Sequence, residues 1–179
     1  THGFDDQGRQ YDKDGNLKDW WTATDAENFE KRAQVLVDYF NNIKVLPDLN
    51  ANGELTLGEN IADHGGLQVA YTALQKAMAE TPLGNDANGF TPAQRFFLSY
   101  ANVWAGNVRD EQIRLQTKSD PHSLGRWRVN GALPPLTFSA SFSTLLKISP
   151  RFAFNSSISY VLLGWNGRAI IGLMVLKST

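Results

Sequence analysis

The stretch Leu57-Gly58-Glu59-Asn60-Ile61-Ala62-Asp63-His64-Gly65-Gly66 decides how this chain is read. It opens a run in which Ile61, Leu67, Ala70, Leu74 and Met78 tend inward, which predicts a helix over roughly Leu57 to Ala79. The Gly65-Gly66 pair costs that helix on the order of 1 kcal/mol per residue, so a packing or functional reason is expected. Glu59 and Asp63 stand four residues apart and face the same way on a helix. One carboxylate there can bind a cation while the other accepts a hydrogen bond from a ligand's ring N–H. Taken alone, the same pair also reads as a solvated helix face, or as acids favoured by the helix dipole.

Working outward, Asp25 is placed to cap a helix that runs to about Asn42, with Phe29, Ala33, Leu36, Val37 and Phe40 as its apolar stripe. Downstream, Thr91 caps a third helix, Pro92 takes its first position and Gln94 completes a capping box. Phe96, Phe97, Tyr100 and Trp104 make that helix strongly apolar. A short fourth helix around Asp110–Lys118 precedes an irregular, glycine-containing segment from Ser119 to Leu133. The fold class is therefore mainly α. The end of the chain reads differently: Asn166-Gly167 between the apolar runs Ile158–Trp165 and Arg168–Leu176 is a strong hairpin signal. A membrane span across 158–176 is disfavoured by Trp165-Asn166-Gly167-Arg168 at its middle, because central charge is expensive in lipid.

With 179 residues, 42% of them hydrophobic, the chain can bury one sizeable core, and one domain plus an appendage is expected. A net charge of −1 gives no electrostatic reason to invoke nucleic acid or an acidic membrane. The absence of cysteine excludes disulfides and thiolate metal sites. The chain starts at Thr1 with no signal-like segment, so the first residue is expected to be a cut end. All 18 acidic residues lie between Asp5 and Asp120. That composition break places a boundary near Pro134–Pro135, dividing 1–134 from a tail, 135–179.

A metal has two sequence readings. Asp48-Leu49-Asn50-Ala51-Asn52-Gly53, followed after five residues by Glu59, has the spacing of an EF-hand calcium loop. Pro47 argues against it, because a proline breaks the helix that should enter the loop, and Gly58 falls where the exiting helix should be established. The other reading starts from the histidines, of which there are three: His2, His64 and His122. Each needs a partner before it means more than a surface or structural imidazole.

Those partners come with a resemblance. Thr1-His2-Gly3-Phe4-Asp5-Asp6-Gln7-Gly8-Arg9 looks like the end of a His-Glu-x-x-His motif. Lys13-Asp14-Gly15, Asp19-Trp20-Trp21, Leu57 to Asp63 with Gly65-Gly66, Phe96-Phe97-Leu98, Val103-Trp104-Ala105-Gly106, Asp120-Pro121-His122-Ser123 and Arg128-Val129-Asn130-Gly131 follow in order. Together they resemble the neprilysin family of zinc metallopeptidases, most of all its bacterial endopeptidase O branch, over about 130 of 179 residues. The resemblance implies a helical, zincin-like catalytic-domain fragment and one Zn2+ per complete domain. It implies that His2 and Glu59 are metal ligands and that Asp63 supports the site from behind them. It further implies that His122 stabilises the oxyanion and Arg128 grips the substrate backbone carbonyl. Val103 and Trp104 would line the pocket for the side chain just after the cut bond. Two imidazoles and one carboxylate leave zinc a net positive charge and an open position, so a bound water becomes acidic near neutral pH.

The family's first histidine ligand and catalytic glutamate would precede Thr1, in the missing N-terminal part of the same parent chain. The expectation is a zinc metalloendopeptidase acting on oligopeptide substrates, extracytoplasmic, of which this chain alone binds zinc weakly and is inactive. The tail also departs from the family, which continues with a short helix and a tryptophan near its end. Residues 135–179 are expected to be out-of-frame or unrelated sequence, or else a lineage-specific hairpin. The alternative function is a non-catalytic helical binding module, with a calcium loop at Asp48–Glu59 or a degenerate peptidase domain.

Overall fold

Local sequence chemistry sets most of the elements. In chain order they are 3-10 turns at His2–Phe4 and Gly8–Gln10, α1 (Ala23–Asn41), β1 (Lys44–Leu46), β2 (Leu49–Asn50), α2 (Leu57–Glu80), α3 (Pro92–Val103), α4 (Asp110–Ser119), α5 (Gly125–Asn130), β3 (Ile158–Trp165) and β4 (Arg168–Val175). The computed structural model describes residues 2–132, 158–165 and 168–175. The Asn166-Gly167 turn, the Pro134–Pro135 boundary and the remainder of the tail lie outside the described residues. β3 and β4 pair antiparallel, with Ile158 opposite Val175 and Trp165 opposite Arg168.

Several expectations need correction. The cap of α1 is Thr22, not Asp25. Its Oγ1 accepts from the Asp25 amide at 3.1 Å and donates to the Asp25 carboxylate at 2.6 Å, so Thr22 caps the helix with Asp25 in the first turn orienting its hydroxyl. The segment Ser119 to Leu133 is not wholly irregular, because α5 occupies its middle. No side chain caps α5, which left no mark in the sequence. The calcium loop is not formed. A strand, β1, stands where its entering helix should run, and Asp48 lies in the turn to β2 with its carboxylate 2.8 Å from Arg114 of α4. The capping box of α3 is present as expected: the Thr91 amide donates to Gln94 Oε1 at 2.8 Å, and the Gln94 amide to Thr91 Oγ1 at 3.2 Å.

The chain divides into two compact units, Thr1–Ala70 with Trp104–Ala132, and Tyr71–Val103 with Leu133–Thr179. The first is built on Val37 and Phe40 of α1, Leu67 of α2, and Leu124 and Ala132, all buried. Gly131 packs so tightly there that a Cβ would stand 2.8 Å from the Phe40 ring. At its start, the Arg9 guanidinium lies over Trp21 and Phe29, 5.4 and 5.1 Å from the ring centres, and ties the first turns to α1. The second unit centres on aromatics. Tyr71 lies 5.1 Å from Phe97 and 5.5 Å from Phe96, ring centre to ring centre. Ala70, expected inward on α2, is exposed, and a Cβ on Gly66 would meet nothing within 4 Å, so Gly66 has no steric reason here. Among the described residues no helix is long and apolar enough to cross a membrane.

Candidate metal centre

The site begins with a buried carboxylate. Asp5 is 5% exposed, and its Oδ1 accepts from the amides of Gln7 and Gly8 at 3.0 and 2.7 Å. Its Oδ2 lies 2.7 Å from His2 Nδ1. Burial raises the Asp5 pKa, but the Gly8 amide, the His2 ring and the Gln7 amide together outweigh it and hold the carboxyl below its ordinary value. An ionised Asp5 can only accept, so Nδ1 is the donor and Nε2 is left to face Glu59. Glycine is required at position 8 because a Cβ would overlap the His2 carbonyl. Gly58 does the same service from α2, where a Cβ would stand 2.9 Å from Asp6 Oδ1. That close approach brings the His2 segment against the first turn of α2.

Glu59 occupies that first turn, with its side chain 18% exposed. Its Oε1 is 3.4 Å from His2 Nε2, and its Oε2 is 3.3 Å from His122 Nε2 and 3.5 Å from Arg128 Nη2. Asp63, one turn on, takes Arg128 in a fork: Nε to Oδ2 at 2.7 Å and Nη2 to Oδ1 at 2.8 Å. A face of that guanidinium is covered by Trp104, 4.1 Å from its ring centre. Gly125, at the start of α5, lets the Trp104 backbone come close, for a Cβ there would stand 2.9 Å from the Trp104 carbonyl. His122 is half exposed, and both its amide and its Nδ1 lie 2.8 Å from Asp120 Oδ1. Those two contacts hold the Asp120 carboxyl below its usual range.

The sequence-derived residues fall into three groups. His2, Glu59, His122, Arg128, Asp63 and Trp104 stand within one unit, linked through Glu59 and Arg128. Val103 ends α3 in the other unit and is 70% exposed. His64 takes a different environment: its Nε2 is buried without a hydrogen-bond partner, and burial lowers its pKa to about 4 against the pull of Asp63. Asp5 and Asp120 were missed. Their signal was available as carboxylates three residues after His2 and two before His122.

Among the described residues no group of three or more His, Cys, Asp and Glu side chains is placed to hold a metal ion. Two donors nevertheless fit. His2 Nε2 and Glu59 Oε1 at 3.4 Å are too far apart for a charge-assisted hydrogen bond. Ligand distances of about 2.0–2.2 Å around a tetrahedral zinc put two donors roughly 3.4 Å apart. An imidazole backed by a carboxylate, beside a second carboxylate, is a zinc donor set lacking one member.

The sequence pattern of peptidase family M13 matches residues 1–149, running beyond the Pro134–Pro135 composition break. The chain is 47% identical over 148 residues to an endothelin-converting enzyme homolog of Locusta migratoria, covering 80% of this chain and 20% of that protein. It is 44% identical over 138 residues to neprilysin-11 of Caenorhabditis elegans, covering 74% of this chain and 16% of the relative. In structure it is similar to the zinc metalloprotease ZMP1 of Mycobacterium tuberculosis, determined with an inhibitor. There the TM-score is 0.72 and the identity 33%, over 83% of this chain and 23% of that one. The chain thus spans about a fifth of the length of the relatives it matches.

Proposed function

The chain belongs to peptidase family M13, the neprilysin family, and from that premise we propose that it forms the Glu59-bearing part of a zinc-dependent metalloendopeptidase acting on oligopeptides. The observation that carries the reading is the 3.4 Å separation of His2 Nε2 from Glu59 Oε1, with Asp5 fixing the imidazole from behind. His2 and Glu59 would hold the zinc. When bound, the ion supplies a Lewis acid that polarises the scissile carbonyl and acidifies a water.

The chain's own residues do the rest of the work assigned here. His122, steadied by Asp120, donates to the oxyanion as the carbonyl becomes tetrahedral. Arg128, held edge-on by Asp63 and face-on by Trp104, donates to a backbone carbonyl of the substrate. Trp104 lines the pocket for the side chain after the cut bond. An extracytoplasmic parent is part of the same proposal.

The family's other histidine ligand and its general-base glutamate have no counterpart in this sequence. Isolated residues 1–179 are therefore expected to bind zinc weakly and to cleave no peptide. Calorimetric titration with Zn2+ and a fluorogenic peptide assay check this, and turnover by the purified chain would sink it. In the full-length protein, Glu59→Ala is expected to abolish zinc retention and cleavage together. If both survive, Glu59 is not a ligand.

A further inference from the structure

Glu59 and Asn60 are consecutive on α2, and they meet two consecutive residues of the segment before α5. Glu59 Oε2 stands 3.3 Å from His122 Nε2, and Asn60 Oδ1 accepts from Ser123 Oγ at 2.8 Å. The second contact is buried, with Asn60 2% and Ser123 7% exposed. It ends a hydrogen-bond chain that has one direction. Thr56 Oγ1 gives its single proton to the Asn52 carbonyl at 2.8 Å, so toward Asn60 it can only accept. Asn60 Nδ2 is the donor to it at 3.0 Å, which turns the amide so that Oδ1 faces Ser123. Ser123 must then donate. Reversing any link would set two donors or two acceptors against each other, so the satisfied chain holds one geometry.

Apart from Glu59, the groups that hold His122 itself do not belong to α2. Asp120 fixes its ring and amide, but Asp120 is two residues away and moves with the same segment. Gln116 Nε2 reaches the His122 carbonyl at 3.2 Å, and Gln116 belongs to α4. We propose that the Asn52–Thr56–Asn60–Ser123 chain is a latch that sets His122 at its working distance from the Glu59 turn. Asn60 and Ser123 are then positioning residues for the oxyanion-stabilising histidine. This rests on the role given to His122 above. A donor to an oxyanion must sit about 2.7–3.1 Å from where the charge develops, so a small drift of the segment weakens only the transition state.

The test uses Ser123→Ala, Ser123→Thr and His122→Ala in the zinc-loaded full-length protein, and the first two also in metal-free residues 1–179. Ser123→Ala is expected to lower kcat about tenfold, the worth of one hydrogen bond, with KM changed by less than about twofold. Ser123→Thr restores most of the rate, and Ser123→Ala costs nothing further in a His122→Ala background. In the metal-free chain, Ser123→Ala speeds exchange of the His122 amide while amides of α2 keep their protection, and Ser123→Thr reverses this. An unchanged kcat with unchanged exchange overturns the latch. So does an equal loss of rate with and without His122, or loss of protection along α2, since each makes Ser123 merely structural. If His122→Ala itself leaves kcat intact, the oxyanion role fails separately, and the amide-exchange result alone decides whether the latch exists.

Discussion

Burial alone would drive Asp5 toward its neutral form, yet two amides and an imidazole keep its charge. That charge selects the His2 tautomer with Nε2 available, so Asp5→Asn is expected to weaken zinc binding by the full-length protein about 10–100-fold. Competition against a chelating dye measures it, and unchanged affinity would detach Asp5 from the metal. His64 carries a second residue-level consequence. Its pKa falls from 6.5 in the unfolded chain to about 4 in the fold, so between those values the unfolded state binds more protons. The stability conferred by a neutral His64 is intact above pH 6.5 and is lost progressively as pH drops toward 4, by roughly 3 kcal/mol in all. His64→Asn is expected to flatten that slope by about one proton, as urea midpoints across the range would reveal. Glu59 became legible only in company. Its spacing to Asp63 is ambiguous, whereas His2 and His122 on either side of its carboxylate give it direction. Asp5 escaped because a carboxylate three residues after a histidine is a common spacing, and only the folded turn shows that it reaches Nδ1.

At the level of elements, the approach of the first turns to α2 depends on Gly58. Replacing it by alanine would favour the helix by about 1 kcal/mol on propensity. The new Cβ would stand 2.9 Å from Asp6 Oδ1, the buried end of a half-buried side chain, so Asp6 would have to shift. Gly58→Ala is therefore expected to leave helix content by circular dichroism unchanged while weakening zinc binding of the full-length protein. Stronger binding would show that the contact is slack. The start of α3 was readable to the residue because its box lies wholly in local sequence, Thr91 to Gln94. Trp104, expected on its apolar face, lies beyond Val103, where the helix stops. α1 was placed three residues late because Thr22 and Asp25 both suit a cap, and only the backbone decides which bends first. α5 was missed because it begins at Leu124-Gly125 with no capping side chain, and its helix is held by tertiary contacts of Gly125 and Gly131. The calcium spacing at Asp48–Glu59 matched a pattern whose flanking backbone never forms, since Pro47 sits in a β turn.

For the molecule as a whole, the mainly helical character was evident from periodicity, and the zincin-like assignment followed from the family resemblance that the ordered motifs carry. The tail was evident as a change in composition and as two apolar runs that pair as β3 and β4. His2, Glu59, Asp63, Trp104, His122 and Arg128 all belong to the unit made of Thr1–Ala70 and Trp104–Ala132. Deleting 133–179 is accordingly expected to leave the ring resonances of His2 and His122 in place in a proton–carbon spectrum. Their collapse would show that the tail is integral and would move the boundary away from Pro134–Pro135. Translating the encoding DNA in its other frames addresses the tail's origin, and absence there of a helix and a terminal tryptophan refutes a frame change. The seat of Arg9 over Trp21 and Phe29 has one more consequence. Arg9 closes the same short segment that His2 opens, and its amide donates to the Asp5 carbonyl, so a displacement of the imidazole is expected to reach a cation resting on an indole. With Trp20, Trp104, Trp127 and Trp165 replaced by phenylalanine, emission from Trp21 is expected to shift on metal loading, and an unchanged spectrum would show that the two ends of the segment are uncoupled.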